Sequence, residues 1–125
     1  MSRMSFVNRF YKEKYICIEC EKSFKSEQVE DTWRCPICNN YIHIYAETED
    51  GECRITLIRK KAKEVVEGDM YVFHGHQSEG GSHVFKVTIK NGTAHISIKG
   101  YGTKTDDAES PVNLQTGSWS SLPKW

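Results

Sequence analysis

The chain has no apolar run approaching the roughly twenty residues that a membrane-crossing helix needs, and its first ten residues, MSRMSFVNRF, hold no apolar core of signal-peptide type. These absences predict a soluble, cytoplasmic protein with no membrane role. Net charge is absent as well, with 17 Lys plus Arg against 17 Asp plus Glu, and the first fifty residues carry seven basic and nine acidic side chains. Polyanion binding by the chain as a whole is thereby excluded. Local basic clusters remain: Arg59-Lys60-Lys61 with Lys63, expected as solvated surface, and an N-terminal arm over residues 1–14 carrying Arg3, Arg9, Lys12 and Lys14. Two further absences concern catalysis. No nucleophile, base and orienting group assemble into a trio, and no phosphate-cradling glycine loop opens a helix.

What the chain does have is cysteine in a pattern. Cys17 and Cys20 form one C-x2-C pair, Cys35 and Cys38 another, and fourteen residues separate them, close to the usual spacing of a four-cysteine zinc site. Two residues between cysteines allow a tight turn to aim both sulfurs at one point. The intervening segment, going out and back as a hairpin, brings the second turn opposite the first, so four thiolates converge on a tetrahedron. Tyr15, Ile16 and Ile18 suit a strand entering the first turn, and Thr32 and Trp33 one entering the second. Pro36 sets φ inside the second turn, and Asn39-Asn40 follow where a left-handed residue is wanted. Glu21-Lys22 at the equivalent place lack that chemistry, which makes the first turn the less regular one.

"CIEC" and "WRCPIC" resemble the paired knuckles of a zinc ribbon, a class that includes rubredoxin-like folds; the resemblance covers about residues 15 to 45, a quarter of the chain. It implies a fold and a metal without naming a substrate. The short polar insert EKSFKSEQVEDT offers little of the apolar shell that shields a redox iron, which favours zinc over iron. A disulfide framework or a thiol oxidoreductase would not require two pairs at this spacing. One structural Zn2+ held by Cys17, Cys20, Cys35 and Cys38 is therefore expected, its coordination closed and its duty folding.

Residues 15–47 make the expected ribbon, ending in the alternating strand NYIHIYA, whose His43 is expected as a partly exposed strand residue. ETEDGE is a turn-rich boundary, and residues 51–102 make a small antiparallel β domain. There, CRITLIR places Cys53, Ile55 and Leu57 on one side, Ala62, Val65 and Val66 face inward from a short helical turn, and the strand MYVFH after EGD is similar to small SH3-like barrels. Asn91-Gly92 predicts a two-residue type I′ hairpin pairing Lys90 with Thr93 and, in step, Phe85 with Ile98. Phe85, Val87, Ile89, Ala94, Ile96 and Ile98 then share an apolar face. The whole is expected to be mainly β: a four-cysteine ribbon, a small antiparallel barrel or sandwich, and an irregular polar tail over 103–125 with Trp119 and Trp125 as anchors.

Function is expected in one of two classes. The first is a non-enzymatic binding module contacting a macromolecular partner, protein slightly ahead of nucleic acid because the net charge is zero and the tail carries tryptophans. The alternative is a small metal-dependent hydrolase or nuclease built on the His74, His76 and His83 loop, with Glu79 inside it.

Overall fold

The computed structural model describes residues 3–5, 7–73 and 81–123. Nine strands carry them: β1 (Lys12–Cys17), β2 (Lys22–Phe24), β3 (His43–Glu47), β4 (Arg54–Lys61), β5 (Met70–Val72), β6 (Ser82–Lys90), β7 (Thr93–Ile98), β8 (Gly102–Asp107) and β9 (Pro111–Ser118). The helical content of the described residues is one short helix, α1 (Ser26–Val29), and two 3-10 turns at Arg3–Ser5 and Ala62–Glu64. The mainly β class predicted from the alternating patterns is what forms. All strands join one antiparallel sheet in the order β2-β1-β3-β4-β9-β5-β6-β7-β8. No helix among the described residues is long and apolar enough to cross a membrane.

Two apolar clusters line this sheet. The first gathers Trp33, Ile42, Ile44, Ile55 and Leu57 around the cysteine end, and the second gathers Val84, Ile96, Ile98, Val112 and Leu114 around the hairpin end. The sheet curls sharply in its second half: the Tyr71 hydroxyl on β5 donates to Asp106 Oδ2 on β8 at 2.9 Å, although β6 and β7 lie between them in the sheet order. Phe73 completes the closure by stacking on both Tyr71 and Tyr101, at 5.0 and 4.7 Å between ring centroids.

The irregular tail expected over 103–125 is instead two strands as far as Ser118, and β9 is central, paired with β4 on one side and β5 on the other. Its sequence PVNLQTGS hides the alternation because Asn113, flanked by the buried Val112 and Leu114, is itself buried. Pro111, which lacks an N–H, is tolerated because it is the first residue of the strand. Trp119 docks on the cysteine half, its Nε1 donating to Ala46 O at 3.0 Å; Trp125 lies outside the described residues.

The expected N-terminal arm is also folded in. Met4 and Phe10 are buried in the first cluster, and Arg9 lies 5.2 Å over the Trp33 ring while pairing with Glu30 at 3.1 Å. In the 3-10 turn region, Ala62 and Val65 face inward as expected, whereas Val66 is 56% exposed.

The hairpin register holds from Lys90–Thr93 to Lys86–Ser97, where a β-bulge intervenes and Ile98 pairs with Val84 instead of Phe85. A bulge adds one residue to a strand and reverses which side chains point inward. Val84 is fully buried and Phe85 is 52% exposed, while Ile89, also assigned to the apolar face, is 47% exposed near the hairpin tip. Val84→Ala is therefore expected to cost about 1.5–3 kcal/mol and Phe85→Ala less than about 0.5 kcal/mol in urea denaturation. The reverse order would restore the unbulged register.

Candidate metal centre

The two cysteine turns are built alike. Cys17 pairs with Lys22 and Ile16 with Ser23 across the first; Cys35 N donates to Asn40 O at 2.8 Å and Arg34 bridges Tyr41 across the second. In both, the residue after the second cysteine adopts a left-handed backbone: Glu21 at φ 53° and Asn39 at φ 64°. The conformation expected at Asn39 is thus also imposed on Glu21, where the side chain opposes it. Glu21→Gly is expected to stabilise the metal-loaded protein by about 0.5–1 kcal/mol, read as a raised denaturation midpoint; an unchanged or lowered midpoint would show that Glu21 bears no such cost.

The strand expected at Thr32 and Trp33 does not form. Trp33 takes φ 56° and is wholly buried, its Nε1 donating to Met4 O at 2.7 Å. The insert is more than a plain hairpin, since α1 follows β2 and buries Val29. Ile18, expected in the entering strand, sits past its end in the turn and is 42% exposed.

The result is convergence. The Sγ atoms of Cys17, Cys20, Cys35 and Cys38 all lie within 4.8 Å of one another, with Cys17 to Cys38 at 3.4 Å and Cys20 to Cys35 at 3.9 Å. Four sulfurs each about 2.3 Å from a central zinc stand about 3.8 Å apart, so these spacings match a tetrahedral edge. They are far beyond the roughly 2.05 Å of a disulfide, and all five cysteines are free thiols. Donors surround the sulfurs too: Cys20 N reaches Cys17 Sγ at 3.4 Å, Ile37 N reaches Cys35 Sγ at 3.3 Å, and Asn40 Nδ2 reaches Cys38 Sγ at 3.4 Å. Such donors stabilise thiolate.

The electrostatics show what the sulfurs need. Burial works against ionisation of Cys35, but the backbone amides of Cys38 and Ile37, with the thiols of Cys17 and Cys38, bring it down to about 7. Cys20 is pushed up to about 12 by its hydrogen bond with Cys38 and by burial, and burial pushes Cys17 up as well. Thiols cannot share one small space as thiolates without a cation among them. The site can hold a metal ion, and it is the one such group of three or more His, Cys, Asp or Glu side chains among the described residues.

Of the expected histidine site, only His83 falls among the described residues. His74, His76 and Glu79 lie outside the described residues. His83 is exposed on β6, its ring 5.3 Å from that of Phe85, and His95 is on β7 opposite Thr88. His43 lines a cavity of about 530 Å³ beside Cys17; its Nδ1 is buried with no hydrogen-bond partner, and burial lowers its pKa.

One important group was hidden in the basic run. Arg59, expected at the surface, is wholly buried: Nε donates to Asn113 Oδ1 at 2.7 Å, Nη1 to Glu13 Oε1 at 3.0 Å, Nη2 to Glu13 Oε2, and the guanidinium lies 4.4 Å over Trp33. The signal was the alternation of Ile55, Leu57 and Arg59 on one side of β4, which the charge of Arg59 obscured. Lys60 instead pairs with Asp69 at 3.2 Å, and Lys61 and Lys63 both pair with Glu109.

Comparison with known protein families, curated proteins and solved structures finds no match to this chain.

Proposed function

We propose that this chain is a non-enzymatic binding module in which Cys17, Cys20, Cys35 and Cys38 hold one structural zinc in a zinc-ribbon arrangement, and whose sheet presents a surface to a macromolecular partner. The convergence of four Sγ atoms at tetrahedral spacing carries this reading. All four ligands come from the protein, so the coordination is closed and the metal's chemistry is to fix the two turns against each other. Cys17 and Cys35, 1% and 2% exposed, tie that joint directly into the first apolar cluster.

The hydrolase alternative draws no support from the described histidines, since His83 packs on Phe85 in a strand whose pairing needs no ligand. Metal analysis of the purified protein tests the proposal. One zinc per chain is expected, and cobalt substitution should give the intense visible absorption of tetrahedral thiolate; a red ferric-thiolate protein would overturn the structural-zinc reading.

A further inference from the structure

We infer that the outer face of β1, β3 and β4 binds a single-stranded nucleic acid. This rests on the reading of the chain as a zinc-stabilised binding module and names its partner class.

Strand alternation creates the face. Tyr15 and Cys17 on β1, Ile44 and Ala46 on β3, and Ile55 and Leu57 on β4 are buried in the first cluster. Their neighbours Lys12 and Lys14, His43 and Tyr45, and Arg54 and Thr56 therefore point the other way, together with Ile16, which is wholly buried at the cysteine end of β1. Register aligns them in rows: Lys14 lies opposite Tyr45 and Tyr45 opposite Thr56, while Lys12 lies opposite Glu47 and Glu47 opposite Arg54. The face holds two depressions, one of about 690 Å³ at Lys12, Lys14, Tyr45 and Trp119, the other of about 530 Å³ at His43 and Tyr41.

Charge and rings then select the partner. Glu47 is neutralised by Arg54 at 2.7 Å and Glu13 by the buried Arg59, leaving Lys12 and Lys14 with no carboxylate partner among the described residues. Beside these two cations stand Tyr45 and Trp119, ring centroids 5.9 Å apart, and Tyr11, which is 63% exposed. Residues alternating along a strand are about 6.8 Å apart, a step that suits successive unstacked nucleotides. Lysines for phosphates interleaved with rings for bases are what sequence-tolerant single-strand binding uses.

A peptide strand would add to a free sheet edge, whereas these rings and cations lie on the face of the sheet, where β3 and β4 are paired on both sides and β1 pairs with β2 over Tyr15 to Cys17. Zero net charge and the tail tryptophans are the two grounds for a protein partner, and Trp119 weakens the second: its Nε1 is committed to Ala46 O and Arg54 lies 5.3 Å over its ring, so it is fixed on the sheet beside Tyr45 instead of projecting as an anchor.

The test is fluorescence anisotropy of the full zinc-loaded chain with labelled twelve-nucleotide oligothymidylate, oligouridylate and a duplex of equal length, at about 50 mM salt and upward. Saturable binding of the single strands is expected, weaker for the duplex. Lys12→Ala with Lys14→Ala should weaken binding at least about tenfold and flatten the log–log salt slope by about 1.4, roughly 0.7 for each lost phosphate contact. Tyr11→Ala should weaken it about tenfold through lost stacking. Lys86→Ala with Lys90→Ala, on the distant hairpin, should change it less than about twofold.

Absence of saturable binding, or binding unaffected by the Lys12 and Lys14 substitutions, would overturn the inference. So would a protein partner that survives nuclease treatment and is lost in those variants. Zinc content measured in parallel keeps the two readings apart: full zinc without binding removes the nucleic-acid face alone, and full binding without zinc removes the structural metal alone.

Discussion

Arg59→Met is expected to destabilise the zinc-loaded protein by about 3–5 kcal/mol, the loss that follows when one partner of a buried ion pair is removed and the other stays buried. Glu13 would be that stranded charge. Its carboxylate accepts both guanidinium bonds from Arg59, the Tyr15 hydroxyl at 2.7 Å and the Phe10 amide at 2.8 Å, and its side chain is 3% exposed. Arg59 links β1 to β9 through Asn113, whose Nδ2 donates to Asn8 O at 2.8 Å, and covers Trp33. One side chain thus joins the N-terminal segment, the cysteine half and the last strand.

Adding Glu13→Gln to Arg59→Met should recover about 1–2 kcal/mol, because the stranded charge is gone, and the non-additivity of the pair measures the coupling. Urea denaturation of the four proteins at equal zinc content decides it. A loss below about 1 kcal/mol for Arg59→Met would mean that the guanidinium reaches water on its own and that the pair is not a structural joint.

Zinc removal is expected to have the largest effect of all. Structural zinc contributes on the order of 10–16 kcal/mol of apparent binding free energy at neutral pH, against a total domain stability of about 5–15 kcal/mol. Chelation should therefore abolish the cooperative unfolding transition of the cysteine half, read by the fluorescence of the buried Trp33. Cys35→Ser and Cys20→Ser should each reduce zinc content and release the same tryptophan into solvent. Retention of a cooperative transition after complete chelation would remove the metal's structural role.

The pH dependence has a definite sign. Zinc needs thiolates, and burial together with the neighbouring thiols holds the protons on Cys17 and Cys20; loading must displace those protons, so affinity rises with pH and is lost in acid. In the metal-free chain, the lowered Cys35 contributes stability that is present above the unfolded value of 9.0 and disappears as pH falls through about 7. Cys17 and Cys20, raised in the folded state, act oppositely by penalising folding above 9.0. Proton release on zinc binding, followed in weak buffer, should therefore diminish as the starting pH rises. Proton uptake would contradict the thiolate assignment.

The four-cysteine spacing was sufficient to bring all four sulfurs together, because two short turns and a hairpin-length insert leave few ways to arrange them. The Asn91-Gly92 turn similarly determined five cross-strand pairs, and failed only at the bulge, where one extra residue turns Val84 inward. Local chemistry decides such features, so local sequence discloses them.

What the sequence could not disclose depends on distant partners. Asn113 and Arg59, 54 residues apart, look like surface residues until β4 and β9 are laid side by side, since a buried charge is tolerable only when its partners are already in place. The same holds for Trp33, whose left-handed backbone is maintained by Met4, Tyr15 and Arg59 around it. Binary pattern and turn chemistry determined the class, the cysteine turns and the hairpin. Only tertiary pairing decided that the tail becomes the central strand, that the basic run supplies a buried joint, and that Lys12, Lys14 and Tyr45 share a face with Trp119, because each is set by contacts between residues far apart in sequence.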